Sequence, residues 1–95
     1  MEKHEIICLL TYILEHPEEV NREITYIRPA KYTQALSYAV MVLPTEKERK
    51  VIGYLVENGA ARFYFGGTDA VAPAIRHAIQ ILEGMSFRKL KKMAA

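Results

Sequence analysis

The 95-residue chain is 51% hydrophobic and 25% charged, with a formal net charge of +2. This composition excludes a disordered or fibrous chain, and a chain of this length can bury one modest core without metals or disulfides. Its longest uncharged apolar stretches, residues 6–14 and 35–43, are about half of the roughly 20 residues that a bilayer requires. We therefore predict a globular protein without a membrane partner.

The single cysteine, Cys8, cannot form an internal disulfide. Because it lies inside an apolar run, it is expected to be a buried thiol in a reducing compartment. The first apolar stretch follows two glutamates and lacks the cationic start of a secretory signal. These features predict a cytoplasmic protein.

Apolar side chains recur with helical spacing near the N-terminus. Residues 3–15 are predicted to form an amphipathic helix. Its apolar stripe comprises Ile6, Leu9, Leu10, Ile13 and Leu14. Pro17 ends this helix and begins a second one, which is expected to stop near Arg28. The alternative for part of this second segment is a short strand over residues 24–27, which are rich in β-branched and aromatic side chains.

Two further helices are predicted in the middle of the chain. Residues 29–43 place their apolar side chains on one face, although the apolar run 38–43 is equally compatible with a buried strand. The members of this face are Tyr32, Ala35, Leu36, Ala39, Val40 and Leu43. Residues 46–58 form the next helix, because Thr45 and Glu48 make a capping box in which each side chain satisfies a free backbone N–H.

The last third of the chain contains an extended segment and a final helix. Residues 61–66 favour extended geometry, and the glycines at positions 66 and 67 favour a turn. Thr68 or Asp69 is expected to cap the final helix, which tolerates Pro73 in its first turn and ends near Gly84. The apolar stripe of this helix comprises Val71, Ala74, Ile75, Ala78, Ile79 and Leu82.

Together these elements predict a mainly α fold, a small domain of four to five helices with one short extended segment at residues 61–66. The alternative is an α+β fold. In that arrangement residues 38–43 and 61–66 form strands on either side of helix 46–58, which gives a β-α-β unit.

The chain also contains an internal repeat. Residues 51–59 match residues 9–17 in kind at most positions, and each copy ends in a helix-closing pair. We therefore predict a single domain built from two similar helical halves, 4–43 and 46–84, followed by a basic tail at 85–95.

The sequence carries no recognisable catalytic or metal-binding pattern. Its three histidines are dispersed, and with one cysteine a zinc site would need ligands from separate helices. The turn at residues 66–69 lacks the spacing of a phosphate-binding loop, and no serine or threonine lies in a glycine elbow. We therefore predict a protein that is not an enzyme, that has no cofactor or metal, and that binds no small-molecule substrate.

The charges are distributed unevenly along the chain. Residues 1–48 hold five Lys or Arg against eight Glu, whereas residues 49–95 hold eight Lys or Arg against three acids. The helix order over residues 4–43 is similar to a helix-turn-helix, without its glycine turn. This layout predicts a DNA-binding or other nucleic-acid-binding protein. Its expected contact residues are Arg28, Lys31, Gln34, Arg62, Arg76, Arg88, Lys89, Lys91 and Lys92.

A homo-oligomeric protein-protein interaction module is the alternative function. The apolar excess and the extended segment at residues 61–66 would then be covered by a second copy or by another protein. The six tyrosines favour such a surface, because tyrosine supplies amphipathic contact area at a low entropic cost. Nucleic acid and a second copy of the chain are thus the two partners expected.

Overall fold

The computed structural model describes residues 1–17, 19–20, 30–58, 68–86, 88–89 and 92. The described residues form four long helices, so the predicted mainly α fold is confirmed. These helices are α1 (Lys3–Glu15), α2 (Ala30–Val42), α3 (Glu46–Asn58) and α4 (Thr68–Gly84). No strand occurs within the described ranges, and no helix there is both long and apolar enough to cross a membrane.

The core is one cluster of apolar side chains to which all four helices contribute. α2 and α4 each pack against the other three helices. The buried members are Ile6, Leu10, Ile13, Val20, Tyr32, Ala35, Leu36, Ala39, Val42, Leu43, Ile52, Val71, Ala74, Ile75, Ala78 and Leu82. In α1, α2 and α4 these residues recur at helical spacing, because one face of a helix repeats at 3.6 residues. In α2 the predicted stripe included Val40, but Val40 is half-buried and Val42 is buried instead.

The β-α-β alternative is wrong, because residues 38–42 are the last turns of α2. Ala39 and Val42 in this run are buried, Tyr38 and Val40 are half-buried, and Met41 is exposed. Such a one-sided pattern is that of an amphipathic helix, whereas a central strand would be covered on both faces. The other strand of that unit, residues 61–66, lies outside the described residues.

The segment after α1 is described only in part. Pro17, Glu19 and Val20 are helical, and the side chain of Val20 is fully buried in the core. The Tyr12 hydroxyl donates a hydrogen bond to Glu19 Oε2 at 2.5 Å, which ties the new segment to α1. Residues 21–29, which hold most of the predicted second helix and its strand alternative, lie outside the described residues.

The start of α4 differs from its prediction. Thr68 and Asp69 already belong to the helix, so neither is its N-cap. Pro73 is therefore the sixth helical residue and not part of the first turn, and its ring leaves the Asp69 carbonyl without the usual helical donor. The predicted end of the helix at Gly84 is confirmed.

Cys8 is exposed, so the expectation of a buried thiol is wrong. Ile6, Leu10 and Ile13 fill the inner face of α1. Cys8 follows Ile6 by two residues and is rotated about 200° from it, because each helical residue turns the side chain by roughly 100°. An apolar run is thus longer than the buried face of the helix that it forms.

A lysine at the start of α1 binds the end of α4. Lys3 Nζ donates hydrogen bonds to the carbonyl oxygens of Met85 at 2.9 Å and Glu83 at 3.4 Å. The last carbonyls of a helix have no partners within it, and a cation there also favours the helix dipole. This contact fixes the point at which the chain leaves α4.

The Thr45 cap of α3 gives a direct test of the fold. The Glu48 N–H donates to Thr45 Oγ1 at 3.3 Å, as predicted, and the same hydroxyl donates to Glu48 Oε1 at 2.6 Å. We expect Thr45→Ala to lower the free energy of unfolding by about 1 kcal/mol, because it leaves a helix-start N–H without its acceptor. Urea denaturation measures this, with Thr45→Ser as the matched control. An unchanged midpoint in the alanine variant would contradict the prediction.

Candidate nucleic-acid interface

The outer face of α2 is polar and carries no acidic side chain. Tyr32, Ala35, Leu36 and Ala39 turn inwards. The exposed residues of the helix are Ala30, Lys31, Thr33, Gln34, Ser37 and Met41. The Ser37 hydroxyl donates to the Thr33 carbonyl within the helix at 2.9 Å. This surface offers an ammonium and an amide to a partner, and it contains no carboxylate that would repel a phosphate.

Lys31 is positioned by the aromatic side chain that follows it. Its Nζ lies 5.0 Å from the centre of the Tyr32 ring, which is only 2% exposed. The Tyr32 ring in turn lies 6.5 Å from the ring of Tyr12 on α1. A cation over an aromatic face is held by the ring quadrupole, so the charge of Lys31 has a defined place at the edge of α2.

Arg76 lies on the solvent side of α4. Ala74, Ile75 and Ala78 occupy the buried side of the same helix, and Arg76 is exposed. Gln80, one turn further along, is exposed as well. α4 therefore presents a guanidinium and an amide one helical turn apart, as α2 presents an ammonium and an amide one turn apart.

The basic tail begins beside α1. Met85 is bound by Lys3, and the N–H of Lys89 donates to Ser86 Oγ at 3.2 Å. Arg88, Lys89 and Lys92 are exposed. The charges in the described part of the tail thus lie in solvent, and the tail is held at its start by the contact of Lys3 with Met85.

The predicted contact residues fall into three groups in the structure. Lys31 and Gln34 share the outer face of α2, Arg76 lies on α4, and a third group lies in the tail. Arg28, Arg62 and Lys91 lie outside the described residues, as does the glycine pair at residues 66–67. The first two groups are on helices that pack against each other.

A polar cluster between α3 and α4 was missed by the sequence analysis. Glu48 Oε2 lies 2.5 Å from His77 Nδ1, while Glu48 Oε1 accepts the Thr45 hydroxyl. The two side chains are 23% and 41% exposed, respectively. In the sequence Glu48 is only a capping residue and His77 an isolated histidine. Nothing in the spacing of two residues 29 apart indicates that they meet.

The electrostatics of this cluster centre on the carboxylate. The hydrogen bond from the Thr45 hydroxyl and the one from His77 hold the pKa of Glu48 below its ordinary value. An ionised carboxylate can only accept hydrogen bonds, so Nδ1 of His77 must be the donor. Nε2 is then the nitrogen of the imidazole that remains for a proton or a second partner.

The hydrogen bonds of the cluster do not follow the order of a nucleophilic triad. In a nucleophilic triad the hydroxyl donates its proton to the imidazole, whereas here Thr45 donates to the carboxylate. Within the described ranges no three His, Cys, Asp or Glu side chains are grouped closely enough to hold a metal ion.

No protein-family model, curated protein or solved structure matches this chain.

Proposed function

We propose that the chain is a small, non-enzymatic nucleic-acid-binding protein with a helix-turn-helix-like order of helices. In this proposal α2 is the helix that contacts the bases. The observation that carries it is the outer face of α2, which is exposed, lacks a carboxylate and holds Lys31 and Gln34 one turn apart. Lysine is a suitable donor to guanine or phosphate, and glutamine can pair with adenine in the major groove.

The second support is the distribution of exposed cations. Arg76 on α4 and Arg88, Lys89 and Lys92 in the tail are all in solvent. Contacts with phosphates supply most of the non-specific affinity for nucleic acid and do not depend on base sequence. In this proposal these four residues orient the protein on the backbone while α2 contacts the bases.

The proposal predicts a salt-dependent affinity that depends on Lys31. Binding to a duplex DNA pool, and to single-stranded DNA and RNA, is measured by fluorescence anisotropy from about 50 to 200 mM salt. If Lys31 contacts a phosphate, Lys31→Ala should reduce the slope of log affinity against log salt by about 1. If Lys31 contacts a base, the Lys31→Ala variant should instead lose affinity mainly for the preferred sequence. On that sequence Gln34→Ala should weaken the binding free energy by about 1–3 kcal/mol.

Lys47→Ala is the matched control, because Lys47 is also an exposed helical lysine but lies on α3. It should leave both the slope and the sequence preference close to those of the wild type. Absence of any salt-sensitive binding near 50 mM would exclude the proposed function. An equal loss in the Lys31 and Lys47 variants would mean that α2 has no special role.

Self-association is the second candidate function, and one exposed residue favours it. Met41 is 38% exposed, one of two exposed large apolar side chains among the described residues, and it lies at the end of the outer face of α2. Ala30, Gln34, Ser37 and Met41 follow one another at spacings of four, three and four, the spacing of a helix-helix seam. Sedimentation of the wild type and of the Met41→Lys variant tests self-association. A wild-type dimer that is lost in the variant supports it, and a wild-type monomer at micromolar concentration excludes it.

A further inference from the structure

The Glu48–His77 contact joins two helices through side chains that can both take up a proton. Glu48 lies in the first turn of α3, and His77 lies in the middle of α4. Among the described residues this is the only ion pair that joins two helices. The other oxygen of the carboxylate accepts a hydrogen bond from the Thr45 hydroxyl, and this bond orients the Glu48 carboxylate towards the imidazole.

We propose that the Glu48–His77 pair is a proton-operated clasp between α3 and α4. The contact between the two side chains becomes stronger when the His77 imidazole is protonated, and it is lost when the Glu48 carboxylate is protonated. This inference goes beyond nucleic-acid binding and does not depend on it. His77 is the residue directly after Arg76, so the clasp holds α4 one residue away from that exposed guanidinium.

The two protonation steps act in opposite directions. With a neutral imidazole the contact is a hydrogen bond from Nδ1–H to a carboxylate, and protonation of His77 turns it into an ion pair, which is stronger. Protonation of Glu48 removes the negative charge and one acceptor. Because the pKa of Glu48 is lowered in the folded chain, its contribution to stability is present above the ordinary carboxyl pKa. That contribution is lost as the pH falls through the lowered value.

Among the side chains of α3 that the structure describes, the charged neighbours of Glu48 are engaged elsewhere or lie in solvent. Arg49 Nη1 donates to the Leu43 carbonyl at 2.9 Å, and Lys50 pairs with Glu46 at 3.3 Å within α3. Lys47 of α3 and Arg76 of α4 are exposed. On α1 and α2, which also pack against α4, the described titratable side chains are Lys3, His4, Glu5, Cys8, Tyr12 and Glu15 of α1 and Lys31, Tyr32 and Tyr38 of α2.

A double-mutant cycle measured against pH tests the clasp. Glu48→Gln, His77→Asn and the double variant are unfolded by urea at pH values from 8 to 2, and the coupling between the two sites is obtained from the four unfolding equilibrium constants. Glu48→Gln also changes the helix cap, but this effect is the same whether residue 77 is His or Asn, so it cancels in the coupling. We expect a coupling on the order of three-fold at its maximum, since the pair is partly exposed. The coupling should be larger with a protonated than with a neutral imidazole, and it should vanish once the carboxylate is protonated.

The Glu46–Lys50 pair is the matched control, because it is also an ion pair of a first-turn glutamate on α3 but contains no imidazole. Its coupling should not rise between pH 8 and mildly acidic pH. A Glu48–His77 coupling with the same flat profile as the control would overturn the clasp.

The ring nitrogens of the wild-type protein give a second readout that needs no variant. Nitrogen-15 NMR should show neutral His77 with its hydrogen on Nδ1 and with Nε2 unprotonated. This follows because the ionised carboxylate can only accept a hydrogen bond. A neutral ring with its hydrogen on Nε2 alone would also overturn the clasp.

Discussion

Leu10→Ala should lower the free energy of unfolding by about 3 kcal/mol, because it empties a fully buried position in the centre of α1. Leu10 lies in the stripe with Ile6 and Ile13, through which α1 meets the core. The cost has two parts, the lost transfer of the side chain from water and the cavity that a packed interior does not fill. For a domain of this size, such a loss is a large fraction of the total stability.

Leu9→Ala is the matched control for this prediction. The two leucines are adjacent in the same helix, and both substitutions replace leucine by the best helix former. Leu9 is half-buried at the edge of the core, so its truncation should cost clearly less than that of Leu10. Urea denaturation followed by far-UV circular dichroism measures both. Equal losses would show that α1 is rotated relative to the arrangement described above.

The opposite change, enlargement of a small buried side chain, should also destabilise the fold. Ala78 is fully buried on α4, the helix that packs against α1, α2 and α3. Leucine at this position adds three carbon atoms where the neighbouring helices leave space for one. We expect Ala78→Leu to lower the free energy of unfolding by about 2–3 kcal/mol, through strained rotamers and displaced helices.

Ala72→Leu tests whether this effect is due to packing. Ala72 lies on the same helix but is only half-buried, so a leucine there can extend towards solvent. The control should change the unfolding midpoint much less than Ala78→Leu does. A similar loss in both variants would point to a general effect on α4 and would contradict the close packing at Ala78.

The positions of the long helices could be predicted from the sequence because their signals are local. The Thr45 and Glu48 side chains specify the start of α3 within one turn, and Gly84 ends α4 as predicted. The apolar run at residues 38–43 was ambiguous, since six residues are too few to separate a helical period from a buried strand. Only the packing of α2 against the other helices decided it.

Part of the candidate interface follows from the same periodicity. Lys31, Gln34 and Arg76 were expected on the polar sides of their helices, and each is exposed. The core positions of a helix leave the opposite face to solvent, so exposure can be inferred from the spacing of apolar residues. The start of α4 was less predictable, because a proline is compatible with more than one helix start, and Pro73 lies one or two residues deeper in the helix than expected.

The sequence by itself determined which face of each helix is buried, because the buried face is set by the spacing of apolar side chains along that helix. The contacts between helices depend on how the stripes pack together. Cys8 is exposed because it lies on the side of α1 opposite Ile6, Leu10 and Ile13, which are fully buried. Lys3 binds Met85 because α1 packs against α4, and His77 meets Glu48 across the contact between α3 and α4. These arrangements join residues that are distant in sequence or lie on different faces, so only the tertiary structure could decide them.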